Sequence, residues 1–181
     1  YSRRYHYPNP WPQDVSSFSA AVHAKDLAAF IQALQLDQVH LIGHSYGALT
    51  ALLVARDNPE RVRSLTLGEP PSPSLGATSP EGDSLFQAFV EHSIIPSRKA
   101  FERGNIEEGV RQFLDGVLGE GAYEQLPPNA HFYMLENARE LKGEMIGIDA
   151  KGKAFFPSVT CEEVGNINTP TLIIDGELSP K

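Results

Sequence analysis

The stretch HLIGHSYGALTALL, residues 40–53, constrains this chain more than any other. A short apolar run meets a Gly43-His44-Ser45-Tyr46-Gly47 corner and continues as small and apolar residues. Strands buried on both faces read as near-continuous apolar runs, so QVHLIG (38–43) is predicted as a short buried strand. YGALTALLVARDNPERV is apolar nearly all round in its first half, which predicts a helix buried against a sheet and stopped at Asn58-Pro59. A strand that turns into a helix this abruptly makes a cramped bend. Small residues are called for two before and two after its tip, the places of Gly43 and Gly47. A serine at such a tip stands clear of the backbone in a strained conformation. The helix that starts there aims N–H groups and its positive dipole end at the same point. The N–H of Tyr46 is placed to meet a developing oxyanion. As a bare pattern Gly-x-Ser-x-Gly is weak; the strand before it and the buried helix after it make it specific. Ser45 is the candidate nucleophile.

The rest of the chain supplies the setting. Residues 8–19, rich in Pro, Ser and Asn, read as a loop. From about Ser17 to Gln35, Val22/His23, Leu27, Phe30, Ile31 and Leu34 recur at helical spacing and predict an amphipathic helix. RSLTLGEPP (63–71) and TPTLIIDGE (169–177) are two further apolar strands. Strands separated by helices imply crossovers and so a parallel α/β sheet. Between the second and third strands lie almost a hundred residues with no strand pattern. SPEGDSLFQAFVEHSII, SRKAFERG, IEEGVRQFLDGVL and NAHFYMLENARELKGEM each read as amphipathic helices, broken by Pro96, Gly104, Gly119 to Gly121 and Pro127-Pro128. So long an insertion in a compact fold is usually functional. It reads as a helical cap.

Composition narrows the function classes. Fifteen Lys and Arg against 23 Asp and Glu give a net charge of -8, with no basic run, which argues against nucleic acid as a partner. No apolar run approaches the ~20 residues that span a bilayer. The single cysteine, Cys161, allows neither an intrachain disulfide nor a cysteine metal cluster and favours a reducing, cytoplasmic setting. The histidines are scattered without metal-ligand spacing, and no glycine loop of the phosphate-cradling kind is present. No cofactor is expected.

The stretch AKDLAAFIQALQLDQVHLIGHSYGALTALLVARDNPERVRSLTLGEPP resembles the α/β-hydrolase fold family: helix, nucleophile strand, elbow, helix, next strand. YSRRYHYPNP is similar to the segment leaving the strand before that helix, and INTPTLIIDGELSP to the strand that follows the cap. The resemblance implies core residues 1–70 with the elbow at 43–47, a cap over 71–168 and a returning core strand at 169–181. It implies Ser45 as nucleophile and Tyr46 as one oxyanion donor. Triad order in the family is Ser, acid, His. The base is then expected beyond Lys181, a second oxyanion donor before Tyr1, and the 181 residues read as an internal fragment that is catalytically poor alone.

None of the six histidines has the place of that base. His44 within the elbow reads as a packing or hydrogen-bonding residue. His23 and His40 read as core histidines, His92 and His131 as cap residues, and His6 as lying near the rim of the site. For the acid, the family commonly places an Asp three residues after the glycine that ends the strand following the cap; here that residue is Ser179. Another branch places the acid at the end of the strand after the elbow helix, which is Glu69. A carboxylate there accepts from the imidazole N–H and fixes its tautomer. A solvated strand-end Glu is the plainer alternative, and Asp175 and Glu177 are weaker candidates by register.

The expected activity is therefore a serine hydrolase acting on an ester, lactone or similar small hydrophobic acyl substrate. Phe86, Phe89, Phe113, Tyr123, Phe132, Tyr133 and Met134 are candidates to line an apolar cap, although helix packing explains each more simply. Two alternatives stand beside this: a non-catalytic ligand-binding or scaffold protein on the same fold, and a cofactor-free haloperoxidase-like enzyme.

Overall fold

In a computed structural model the structure describes residues 1–10, 18–147, 156–177 and 179. The chain divides into two compact units, Tyr1–Phe18 with Asp83–Phe155, and Ser19–Gly82 with Phe156–Lys181. The sequence suggested divisions at 70/71 and 168/169; those between the units fall at 18/19, 82/83 and 155/156.

The second unit holds the sheet. Its first helix, α1 (Ala20–Ala33), opens on Ser19, whose extended backbone and Oγ accepting from Val22 N–H make an ordinary N-cap. Strand β1 (Val39–His44) runs into α2 (Tyr46–Asp57), which ends at Asn58 before Pro59. Strand β2 (Val62–Gly68) and strand β3 (Thr171–Ile174) complete a parallel sheet ordered β1-β2-β3. Each parallel pair needs a crossover; α2 supplies the first. A short helix, Cys161–Gly165, precedes β3 and is closed by a reciprocal capping box between Thr160 and Glu163.

Residues Ala48 to Ala55 of α2 are all buried, with Leu49, Leu53, Val54 and Ala55 at 0% exposure. This helix is enclosed because it lies on Leu41, Leu65 and Leu67 of the sheet and against Ala20, Ala24 and Ile31 of α1. A fully buried leucine contributes about 1.5–3 kcal/mol. The buried face of α1 departs from expectation: Phe30 and Leu34 are exposed, while Ala20, His23, Ala24 and Ile31 face the core. Small alanines let α1 approach α2 closely, and the bulkier side chains fall to the flank. His23 is fully buried, as expected, beside the ring of Tyr46. His40 is not a core residue. It sits on the outer face of β1, which also carries Ile42 and His44, and its Nδ1 lies 2.6 Å from Ser64 Oγ.

The other unit is helical. The chain crosses into it within the helix Pro80–Phe89. A break was expected at Pro96, but the helical path continues through a π turn, Val90–Ile94, into Ile95–Glu102. The Ile95 N–H donates to Val90 O, five residues back, so the register has already shifted where proline has no N–H to give. Breaks do occur at Gly104 and Gly119, both at positive φ, and Pro127 caps Pro128–Glu136. Helix Ile106–Leu118 follows its expected segment, whereas NAHFYMLENARELKGEM, expected as one helix, is divided at Asn137 between Pro128–Glu136 and Ala138–Gly147. The N-terminal residues are tied to this unit: Tyr7 N–H donates to Asn137 Oδ1 at 2.8 Å, and His6 Nε2 meets the Glu140 carboxylate. Of the aromatic set, Tyr123 is buried, whereas Phe132, Tyr133 and Met134 are exposed. The expected loop at 8–19 lies mostly outside the described residues.

Candidate active site

In an open parallel sheet, ligands bind beyond the carboxyl ends of the strands. Three such ends meet here. The register pairs His44 with Gly68 and Gly68 with Ile174, so the residues that follow are Ser45, Glu69 and Asp175 in neighbouring rows.

Ser45 closes β1 and caps α2 with φ 51° and ψ -126°, a conformation that L-residues avoid. Its N–H donates to Gly68 O at 2.8 Å, extending the β1–β2 ladder by one residue. Its carbonyl accepts from Ala48 and Leu49, the first turn of α2. The backbone is thus committed to sheet on one side and helix on the other, which leaves the turn to this single residue. Ser45 is exposed, and among the described residues its hydroxyl makes no hydrogen bond.

The expectation that both glycines are needed holds at one only. A Cβ on Gly43 would lie 2.4 Å from Gly47 O and 2.7 Å from Ala48 Cα, so the first turn of α2 passes directly over it. At Gly47 an added Cβ meets nothing within 4 Å. Gly43 is the steric requirement of this bend; Gly47 is where the helix crosses it. Tyr46 opens α2, with its ring edge-on to His23 and Phe156.

Glu69 is the second strained residue, with φ 49° at the end of β2. Its N–H donates to Ile174 O at 2.9 Å. Its carboxylate is held on both oxygens: Ser179 Oγ–H and Gly176 N–H (3.2 Å) donate to Oε1, and His44 Nε2 lies 3.1 Å from Oε2. The Ser179 hydroxyl first, then His44 and the Gly176 amide, keep this carboxyl below the usual carboxylate range. His44 is a hydrogen-bonding residue and not a packed one, its side chain being 75% exposed. Asp175 and Glu177 are exposed and make no hydrogen bond or ion pair among the described residues.

His131 packs edge-on against Tyr123, His92 is exposed, and His6 pairs with Glu140. Among the described residues, no three His, Cys, Asp or Glu side chains are placed to hold a metal ion. No helix there is long and apolar enough to cross a membrane. Two cavities, of about 330 and 320 Å³, are lined by Arg56, Glu163 and Ile167 in one unit and by Tyr5, Tyr7 and Arg139 in the other; neither is lined by Ser45 or Glu69.

Residues 1–97, over half of the chain, match the α/β hydrolase fold family. The chain belongs to the α/β-hydrolase fold family. A 2-hydroxy-6-oxononadienedioate/2-hydroxy-6-oxononatrienedioate hydrolase of Paraburkholderia xenovorans (strain LB400) is 35% identical over 81 residues, 43% of this chain and 28% of that protein. Among solved structures, Est816, described as an N-acyl homoserine lactone degrading enzyme, superposes with a TM-score of 0.63 at 20% identity. It covers 97% of this chain and 62% of its own. A structure from work on carboxylesterases of Nitrososphaera gargenis gives 0.63 at 15% identity, covering 96% and 59%. These likenesses show the fold, and the chain spans less than two thirds of each relative. Among the described residues the hydrolase core is three parallel strands flanked by helices. What sequence reasoning missed is the company Glu69 keeps. Ser179 was visible as a departure from an expected acid, but nothing local ties it to a residue 110 positions earlier.

Proposed function

We propose that this hydrolase-family chain carries the nucleophile and the acid of a serine hydrolase acting on a carboxylic ester, lactone or similar small hydrophobic acyl compound. One observation carries the reading: Ser45 is held at positive φ, exposed, its hydroxyl unengaged, between the end of a buried strand and the start of a buried helix. Strain of this kind costs on the order of 1–3 kcal/mol and survives where the surroundings over-determine it.

In this reading Ser45 Oγ attacks the substrate carbonyl as its proton passes to a base, forming an acyl-enzyme that water then resolves. The Tyr46 N–H, at the head of α2, receives the oxyanion. Glu69 accepts from the imidazole N–H of the base and stabilises the imidazolium. The described contacts give none of the chain's histidines to Ser45, and the relatives are longer than this chain. We assign the base and a second oxyanion donor to no described residue, and read the helical segment 71–168 as an apolar cap. The activities of the similar proteins, a dienedioate hydrolase, a lactone-degrading enzyme and carboxylesterases, support an acyl substrate.

The test is direct. A fluorophosphonate probe applied to the full-length protein is expected to label Ser45, as read by peptide mass mapping. Ser45→Ala is expected to abolish labelling and to lower p-nitrophenyl butyrate hydrolysis by at least about a thousandfold. Absence of labelling with a folded protein would favour a binding or scaffold role.

A further inference from the structure

We infer that Ser179, together with the N–H of Gly176, is the positioning device for Glu69: the turn after β3 grips one carboxylate oxygen and turns the other toward the elbow. The inference rests on the reading of Glu69 as the acid of the Ser45 site.

Three independent features of the β3 turn converge on it. First, the donors divide by oxygen. Ser179 Oγ–H and Gly176 N–H both reach Oε1, while Oε2 is left to the elbow side, where His44 Nε2 sits 3.1 Å away. A glutamate at a strand end, 38% exposed, samples many rotamers if nothing holds it. Two donors on one oxygen select a single carboxylate orientation. Second, Gly176 is shaped for the grip. A Cβ there would lie 2.7 Å from Ser179 Oγ and 2.9 Å from Glu69 Oε1, wedged between the two groups that meet. Third, the Glu69 backbone is left-handed at φ 49°, and its N–H is tied to Ile174 O at 2.9 Å. Main chain and side chain are therefore both fastened to β3, one through its last residue and one through its turn.

The chemistry explains why a hydroxyl suits position 179. A second carboxylate against Glu69 Oε1 would be a like charge at hydrogen-bond distance, and one of the pair would hold a proton. Serine donates instead, so Glu69 stays ionised, with Oε2, which His44 Nε2 approaches at 3.1 Å, turned toward the elbow. Ser179 never touches substrate; it acts through Glu69.

The experiment uses the full-length protein, p-nitrophenyl butyrate and 13C NMR of the Glu69 side-chain carboxyl. Removing the Oγ–H takes away a donor that favours the carboxylate. Ser179→Ala is therefore expected to move the Glu69 titration, and the acid limb of kcat/KM, upward in pH together. It should lower kcat by about tenfold with KM little changed. Ser179→Thr, which keeps the hydroxyl, should restore both readouts. Gly176→Ala should reproduce the Ser179→Ala shift, and the double variant should go no further. If Glu69→Gln abolishes turnover yet Ser179→Ala leaves the Glu69 titration and acid limb in place, or Ser179→Thr behaves as Ala, the inference is overturned. If Glu69→Gln keeps wild-type turnover, the assignment of the acid fails instead, and the two failures are told apart by that one variant.

Discussion

Ser45 stays at φ 51° because the bonds on either side of it agree: its N–H belongs to the β1–β2 ladder and its carbonyl to the first turn of α2. Gly43 is the residue that lets those two commitments coexist. Gly43→Ala would drive a methyl into the Gly47 carbonyl at 2.4 Å, and backbone cannot step aside as a side-chain tip can. Overpacking of this kind costs about 1–3 kcal/mol. Gly47→Ala has open space around it and is expected within about 0.5 kcal/mol of wild type. Urea unfolding of the two variants separates them, and equal losses would contradict the asymmetry. The Gly-x-Ser-x-Gly spacing made the bend legible, because strand, corner and helix are contiguous in the chain. It could not say which glycine is crowded, since that depends on the pitch at which α2 leaves the corner. Nor could it pair Glu69 with Ser179, whose meeting depends on β3 lying beside β2.

At the scale of elements, α2 shows how a run of small apolar residues reports burial on every side. Leu53→Ala removes a side chain with 0% exposure and is expected to destabilise by about 2–5 kcal/mol, measurable by chemical denaturation. Periodicity served α1 less well: it gave the helix but turned its face toward Phe30 and Leu34, because alanines carry little weight in an apolar count. Pro96 misled for the opposite reason, a local rule being met by a local remedy, the π turn ahead of it. The helix Ala138–Gly147 contains a pH-sensitive element. Glu144 is buried beside Glu140, and burial first, then the Glu140 charge, raises its pKa well above the ordinary value, with Arg3 opposing. A carboxyl with a raised folded pKa keeps its proton while the unfolded chain, titrating near pH ~4.3, loses its own. Stability from this group is therefore lost as pH rises above that value. Glu144→Gln is expected to match wild type at low pH and to become progressively more stable toward neutrality, read as thermal midpoints across a pH series. A pH-independent difference would remove Glu144 as the cause.

For the whole molecule, order along the chain was more legible than grouping in space. Three strands, the helices between them and the glycine breaks follow from pattern, because each is set by residues close in sequence. That Tyr1–Phe18 groups with the later helices does not, since it rests on contacts such as Tyr7 to Asn137, 130 residues apart. Protection should be equally uneven. Amides of Leu49 to Ala55 are expected to exchange with deuterium most slowly and those of β3 much faster, given that all four β3 residues are exposed. β3 carries a practical implication as well. Leu172, Ile173 and Ile174 are 57%, 60% and 50% exposed on a strand at the sheet margin. An apolar rim with unsatisfied ladder positions is a template for lateral growth. A polypeptide of these 181 residues is therefore expected to scatter more light as its concentration rises, and Ile173→Lys is expected to reduce that scattering.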